Sequence, residues 1–252
     1  MRAVFFAASV CLLAAALPAS AQKGPAPGTA HLPADVVSLA CAPTLTYEAP
    51  VEMLRIAGGQ ETVGHTSHAP GDLVTINAGT KSGITVGQEF YTRRALAGLS
   101  GRISRTNPAT LRTTGWIRVW AVDDDMSLAT ITHACETVDV DDYLVPFALP
   151  TIPTPSSATG KPERGDYANV LSGQDRRTAF GQNDYLLIDR GTNQGVSLGA
   201  RFVLYHDRKL AGNFLFEIGE GVIVDVKDNT STLHVLRAID AITAGDYAGM
   251  RK

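Results

Sequence analysis

The chain has 252 residues, with 22 Lys or Arg against 25 Asp or Glu, a formal charge of −3 at pH 7. Cations scattered through a mildly acidic chain leave no electrostatic footprint for nucleic acid or anionic lipid. The length admits either one large domain or two small ones.

The first 21 residues read as a secretory signal peptide. Arg2 is the lone early charge, Val4 to Leu17 is apolar, and Ala19-Ser20-Ala21 supplies the small residues of a cleavage site. The apolar run is too short to span a bilayer comfortably, and cleavage near Ala21 leaves Gln22 as the first mature residue. Neither Cys11 nor Cys41 follows a proper lipobox. The later apolar stretch from Tyr143 to Pro153 is broken by Pro146 and Pro150. The expected product is exported to the periplasm or the exterior, with no membrane insertion. Residues 22–50 read as an N-terminal tail, mostly disordered, because Gln22 to Pro33 is rich in Pro and Gly.

Cys11 leaves with the signal peptide, so Cys41 and Cys135 remain. In an oxidising compartment two cysteines usually pair, and the expected disulfide would pin the N-terminal segment onto the residues that follow.

From residue 51 the chain says the same thing twice. Gly71-Asp72-Leu73-Val74-Thr75-Ile76 through Gly79, Gly83, Gly87 and Phe90 returns as Asn183-Asp184-Tyr185-Leu186-Leu187-Ile188 through Gly191, Gly195, Gly199 and Phe202. Upstream, Ile56-Ala57-Gly58-Gly59 matches Val170-Leu171-Ser172-Gly173. Downstream, Gly115 to Ile131 matches Gly219 to Val235, and Asp142-Tyr143 matches Asp246-Tyr247. Spacing changes only between these blocks, as surface loops allow. The repeats are 51–147 and 167–252, and the Pro-rich stretch 148–166 is an extended linker.

Within each repeat the elements are short strands. Leu73 to Ile76 and Tyr185 to Ile188 are compact apolar runs, followed by Glu89 to Thr92 and Arg201 to Tyr205. Trp116 to Val122 with Leu128 to Thr132, and Val222 to Val226 with Thr232 to Leu236, are joined by hydrophilic turns and read as hairpins. The Gly-x-x-x-Gly-x-x-x-Gly spacing lacks the helix and Lys-Ser/Thr pair of a phosphate loop, so these glycines read as turn positions with positive φ.

The string x-Asp-hydrophobic-x-x-Ile-x-x-Gly-x-x-x-Gly-Val-x-x-Gly-x-x-Phe, with the closing Gly-Asp, resembles the C-terminal β-domain of flagellar assembly protein T. Gly173-Gln174-Asp175-Arg176-Arg177-Thr178-Ala179-Phe180-Gly181 is similar to a stretch preceding the β-module that follows lysin-motif domains in bacterial envelope proteins. The resemblance implies an all-β fold of two tandem SH3-like barrels and a cell-envelope setting, in assembly or wall association.

Candidate chemistry is sparse. His65 and His68 have metal-compatible spacing but no third ligand beside them and read as an exposed loop. Asp123 to Asp125 and Asp139, Asp141 and Asp142 lack calcium-loop spacing. Trp116, Arg118 and Trp120 alternate as a sugar-stacking platform would, yet Trp120 aligns with apolar Val224 and reads as core, leaving Trp116 the more exposed indole. Val119 and Val122 are also apolar in both repeats, a mixed spacing that suggests a bulge and leaves the faces unresolved. Arg93, Arg94, Arg102, Arg105 and Arg112 form the one basic concentration, which reads by default as a solvated loop and alternatively as a contact surface for an acidic partner. No G-x-S-x-G, H-E-x-x-H or catalytic cysteine is legible. The expectation is a non-catalytic, cofactor-free envelope protein that binds another envelope protein, with peptidoglycan or polysaccharide binding as the alternative.

Overall fold

Short β-prone runs bounded by Asp, Gly and Pro cannot bury their apolar faces alone, so they pair into sheets that curl around two cores. A computed structural model describes residues 32–48, 50–51, 54–60, 66–96, 108–209 and 214–252, with Arg176 in backbone only. Leu32–Lys252 forms one compact unit.

The N-terminal segment holds α1 (Ala34–Ala40) and β1 (Thr44–Thr46). The first repeat continues with β2 (Ile56–Gly59), β3 (Ser67–His68), β4 (Leu73–Ile76), β5 (Glu89–Leu96), β6 (Ala109–Val122), β7 (Ser127–Ala134), β8 (Val138–Asp139) and β9 (Tyr143–Pro146). The second holds β10 (Tyr167–Gly173), β11 (Ala179–Phe180), β12 (Tyr185–Ile188), β13 (Arg201–Asp207), β14 (Leu215–Val226), β15 (Ser231–Ala238), β16 (Ile242–Thr243) and β17 (Tyr247–Met250). The fold is all-β with a single short helix among the described residues.

The second repeat is a closed barrel in the order β10-β12-β15-β14-β13-β17. The first repeat has the same order, β2-β4-β7-β6-β5-β9, with β1 added to β6. Its end strands meet where Arg55 bridges Tyr143, and the Leu144 N–H donates to the Leu54 carbonyl at 2.9 Å. Even the irregularities repeat: β5–β6 shifts register between Thr92 and Arg93, and β13–β14 between Leu204 and Tyr205.

Each core is filled from alternate positions of its strands. Ile56, Ile76, Phe90, Ile117 and Ile131 pack in the first, and Leu186, Ile188, Phe202, Ile223 and Val235 in the second. Each such side chain contributes roughly 1.5–3 kcal/mol on burial.

The glycine pattern has two physical causes rather than the one expected. Gly83 and Gly195 take the left-handed region at φ +78° and +80°. Gly79 and Gly191 are extended, and are required because a Cβ there would lie 2.1 Å from the Asp123 carbonyl oxygen and 2.0 Å from that of Lys227. That close approach docks each 3₁₀ turn onto a hairpin tip: Thr80 N–H donates to Asp123 O, as Thr192 N–H does to Lys227 O, both at 2.9 Å.

Residues 148–166 carry no regular element, and the Ser156 and Gly160 N–H groups donate to the Gly199 and Lys252 carbonyls at 2.8 Å. The described end of the expected N-terminal tail is folded: α1 and β1 lie against the first repeat.

Candidate binding surface

A seven-residue helix is too short to hold itself in water, and α1 has no side-chain cap at its N-terminus. Tertiary contacts hold it instead. The Cys41–Cys135 disulfide joins its C-terminal end to the residue after β7, with Cα atoms 5.6 Å apart. Ala40 is buried with Tyr91 and Trp116, and Leu32, Val37 and Phe147 pack around them. Beyond the disulfide, β1 runs antiparallel to β6, with Thr44 opposite Leu111, Leu45 opposite Thr110 and Thr46 opposite Ala109. This clasp also reaches the second repeat. Ser38 Oγ and the Tyr185 hydroxyl are 3.0 Å apart, and Thr232 Oγ1 donates to the Pro43 carbonyl at 2.9 Å. Burial raises the Tyr185 phenol above its ordinary pKa.

The clasp reverses the expected roles of the two tryptophans. Trp116 is 5% exposed and Trp120 is 63% exposed. The β6–β7 register shifts between Trp116 and Ile117 and again between Val119 and Ala121. Trp120 is therefore the unmatched bulge residue, tipped into solvent. Ile117 and Val119 take the core side, and Trp116 lies on the outer face, covered by α1 and Phe147. Its indole stacks on His133 with ring centroids 4.2 Å apart and meets Tyr91 edge-on at 5.9 Å. Desolvation lowers the His133 pKa, which keeps the ring neutral.

Of the arginines expected to greet an acidic partner, Arg94 and Arg112 are paired with acids within the chain. Arg94 donates to Asp142 through Nε at 2.7 Å and pairs with Asp139 at 2.8 Å; the Asp142 hydrogen bond raises its pKa further. Arg112 joins Glu136 and Asp175 at 3.1 Å each, and Arg118 joins Glu89 at 2.7 Å. The Arg93 guanidinium lies 5.5 Å from the Tyr91 ring centre. Arg102, Arg105 and His65 lie outside the described residues. His68 is buried in β3 rather than exposed, with its ring against Gly59.

Asp142 and Asp246 are the deepest acids, and both are structural. In the first repeat Asp142 accepts from Arg94, from Thr114 Oγ1 at 2.8 Å and from the Asp139 N–H at 3.0 Å. In the second, Asp246 meets His206 Nδ1 at 2.5 Å and accepts from the Thr243 N–H at 2.7 Å. His206 stands where Arg94 stands in the repeat. The His206–Asp246 pair thus occupies the place of the Arg94–Asp142 pair. The acidic turn of the first repeat likewise has its cation built in, since Lys81 Nζ contacts Asp125 at 2.8 Å. Ligand atoms of Cys41, His133 and Cys135 lie within 4.8 Å of one another, but the two sulfurs are spent on each other.

The second repeat lacks a clasp at the corresponding place. The N–H of Cys135 donates to Thr114 O, and that of Ile239, at the equivalent position, to Ile218 O, both at 2.9 Å. Ile239 is 64% exposed. Around the start of β14, Phe214 is 66% and Phe216 40% exposed. Arg208 lies over the Phe216 ring at 5.3 Å and pairs with Asp240 at 3.4 Å, linking the phenylalanine to the turn that carries Ile239. Sequence reasoning passed over Phe214 and Phe216, while Ile239 in the place of Cys135 already marks the staple as absent from the second repeat. The available signal was Phe-x-Phe alternation at the start of a strand, with an isoleucine replacing the cysteine.

No family model and no curated protein matches the chain.

Proposed function

We propose that this is a non-catalytic, exported cell-envelope protein, built of two tandem SH3-like barrels joined by the Pro-rich linker, that binds or assembles with another envelope protein. The carrying observation is the unclasped apolar corner of the second repeat, Phe214, Phe216 and Ile239, which matches a surface that the first repeat covers with its own N-terminal segment. Exposed clustered aromatics of this kind mark interaction sites. The disulfide suits an oxidising compartment. The resemblance to flagellar assembly protein T and to the lysin-motif-associated β-module belongs to the same reading.

The glycan alternative is weaker, because Trp116 is covered and Arg118 is tied to Glu89, so of that platform Trp120 alone stays exposed. Co-sedimentation of the mature chain with purified peptidoglycan sacculi tests the choice. The expected result is no saturable binding, with Trp120→Ala behaving like the parent. Saturable binding lost in Trp120→Ala would replace the protein-partner reading with wall recognition.

A further inference from the structure

In the first repeat β6 is longer than β7 can cover. Its start is paired on one side with β5 and on the other with β1. The second repeat repeats this geometry up to the point of the third strand. β14 pairs with β13 from Leu215 to Val222, including Tyr205 opposite Glu217 and His206 opposite Phe216. Its pairing with β15 begins only at Gly219. Among the described residues, nothing pairs with Phe214–Glu217 on the side away from β13.

We propose that this edge of β14 receives a strand from another protein, in the place and direction that β1 takes on β6. The inference rests on the protein-binding reading and gives it a site. The first repeat also defines the guest. Leu45 of β1 is buried and lies opposite Thr110, whose counterpart in the second repeat is Phe214. A guest strand therefore presents an apolar residue to Phe214, while its flank covers Ile239 as Cys41 covers Cys135. The charges around the corner are already matched, Arg208 with Asp240 and Arg237 with Glu217 at 3.2 Å, so the guest is uncharged where it pairs. Main-chain hydrogen bonds supply the affinity and the apolar corner supplies the register.

The N-terminal stretch before α1 and β1 itself are poor guests. Gln22–His31 contains Pro25 and Pro27 with Gly24 and Gly28, which remove ladder donors and weaken strands. The β1 of a second copy is held in its own sheet by the disulfide and by β6. The occupant is an extended segment of a different protein.

The disulfide offers a direct test. Ile239→Cys places a thiol where the first repeat has Cys135, and a synthetic peptide copying Leu32–Tyr47 carries its own cysteine at the matching point. Tethering raises the local strand concentration to a level at which a weak ladder forms. In the mature chain, the tethered peptide is expected to slow hydrogen exchange by about tenfold or more at whichever of the Phe214 and Leu215 amides points away from β13, the counterparts of Thr110 and Leu111. A peptide N-methylated at the positions of Thr44, Leu45 and Thr46 is expected to form the disulfide without this protection. Equal exchange with either peptide overturns the edge. A photo-crosslinking residue placed at Phe216 in intact envelopes is expected to yield a discrete protein adduct that maps to an extended segment with alternating apolar residues. Adducts from Trp120 but not from Phe216 overturn the edge and leave the protein-binding reading standing. No adduct from either position overturns both.

Discussion

Asp142 shows how much one side chain organises. Its carboxylate is buried, and it fastens β5 through Arg94, β6 through Thr114 and the β8–β9 turn through the Asp139 N–H. Removing one member of such a group leaves the others desolvated and unpaired. Asp142→Ala is expected to cost about 3 kcal/mol, read as a lower denaturation midpoint at unchanged slope. His206→Arg, which copies the first repeat's pair into the second, is expected to leave the melting temperature unchanged or raise it. The histidines His133 and His234 respond differently. Burial lowers both pKa values, so the unfolded chain takes up protons before the folded one does. Their contribution is complete above the ordinary histidine value of about 6.5 and is lost as pH falls through it towards the lower folded value. Denaturant titrations at successive pH values should show stability falling below neutrality, and His133→Gln should flatten part of that fall. Glu136 works in the opposite sense at lower pH, because burial raises its carboxyl and acidification relieves the cost of its charge.

Among the elements, the clasp is the most exposed to a single bond. Without the Cys41–Cys135 bridge, a seven-residue helix and a three-residue strand have little to hold them. The bridge closes a loop of 94 residues, and its loss is expected to cost about 4 kcal/mol. Trp116 then reports the loss locally. In a Trp120→Phe background, reduction should red-shift the remaining tryptophan emission and open it to acrylamide. Emission that stays blue-shifted would show that α1 and Phe147 cover the indole without the disulfide. The 3₁₀ turns give a second test, since Gly79→Ala and Gly191→Ala each push a methyl into a hairpin carbonyl. Each should destabilise the fold by about 1–3 kcal/mol, measured by thermal melting.

The element scale also shows where sequence reading succeeds and where it stops. The repeat placed β4 against β12, and both hairpins, from spacing alone, because matched apolar runs leave one choice of core face. The two tryptophans were misassigned because the apolar spacing signals a bulge in β6 without fixing its position, and each register shift in β6–β7 moves a residue across the sheet. Helix α1 was missed because Ala34-Asp35-Val36-Val37-Ser38-Leu39-Ala40 has one β-branched pair, no cap and no length; its helicity comes from what it packs on. The corner at Phe214 and Phe216 was missed because alignment of the repeats rewards shared apolar positions, and these are apolar only in the second.

At the scale of the molecule, duplication produced two closely matched sheets with different fates. The first repeat used its outer face and strand edge to bind the chain's own N-terminal segment, and the same segment touches the second repeat at Tyr185 and Thr232. The second repeat kept the corresponding edge open. A cavity of about 160 Å³ between them is walled by the disulfide, Arg112, Glu136 and Asp175, so the two repeats meet through polar groups. One module has its edge paired by the chain's own N-terminal segment, while among the described residues its copy leaves the corresponding strand edge unpaired.

Residue-resolved hydrogen exchange of the folded chain, before and after reduction, tests this asymmetry. Before reduction, the amides of Ala109–Leu111 facing β1 should be protected, and those of Phe214–Glu217 that do not donate to β13 should exchange freely. Reduction should release the first set and leave the second unchanged. Equal protection of both edges in the oxidised protein, or protection at Ala109–Leu111 that survives reduction, would contradict the account.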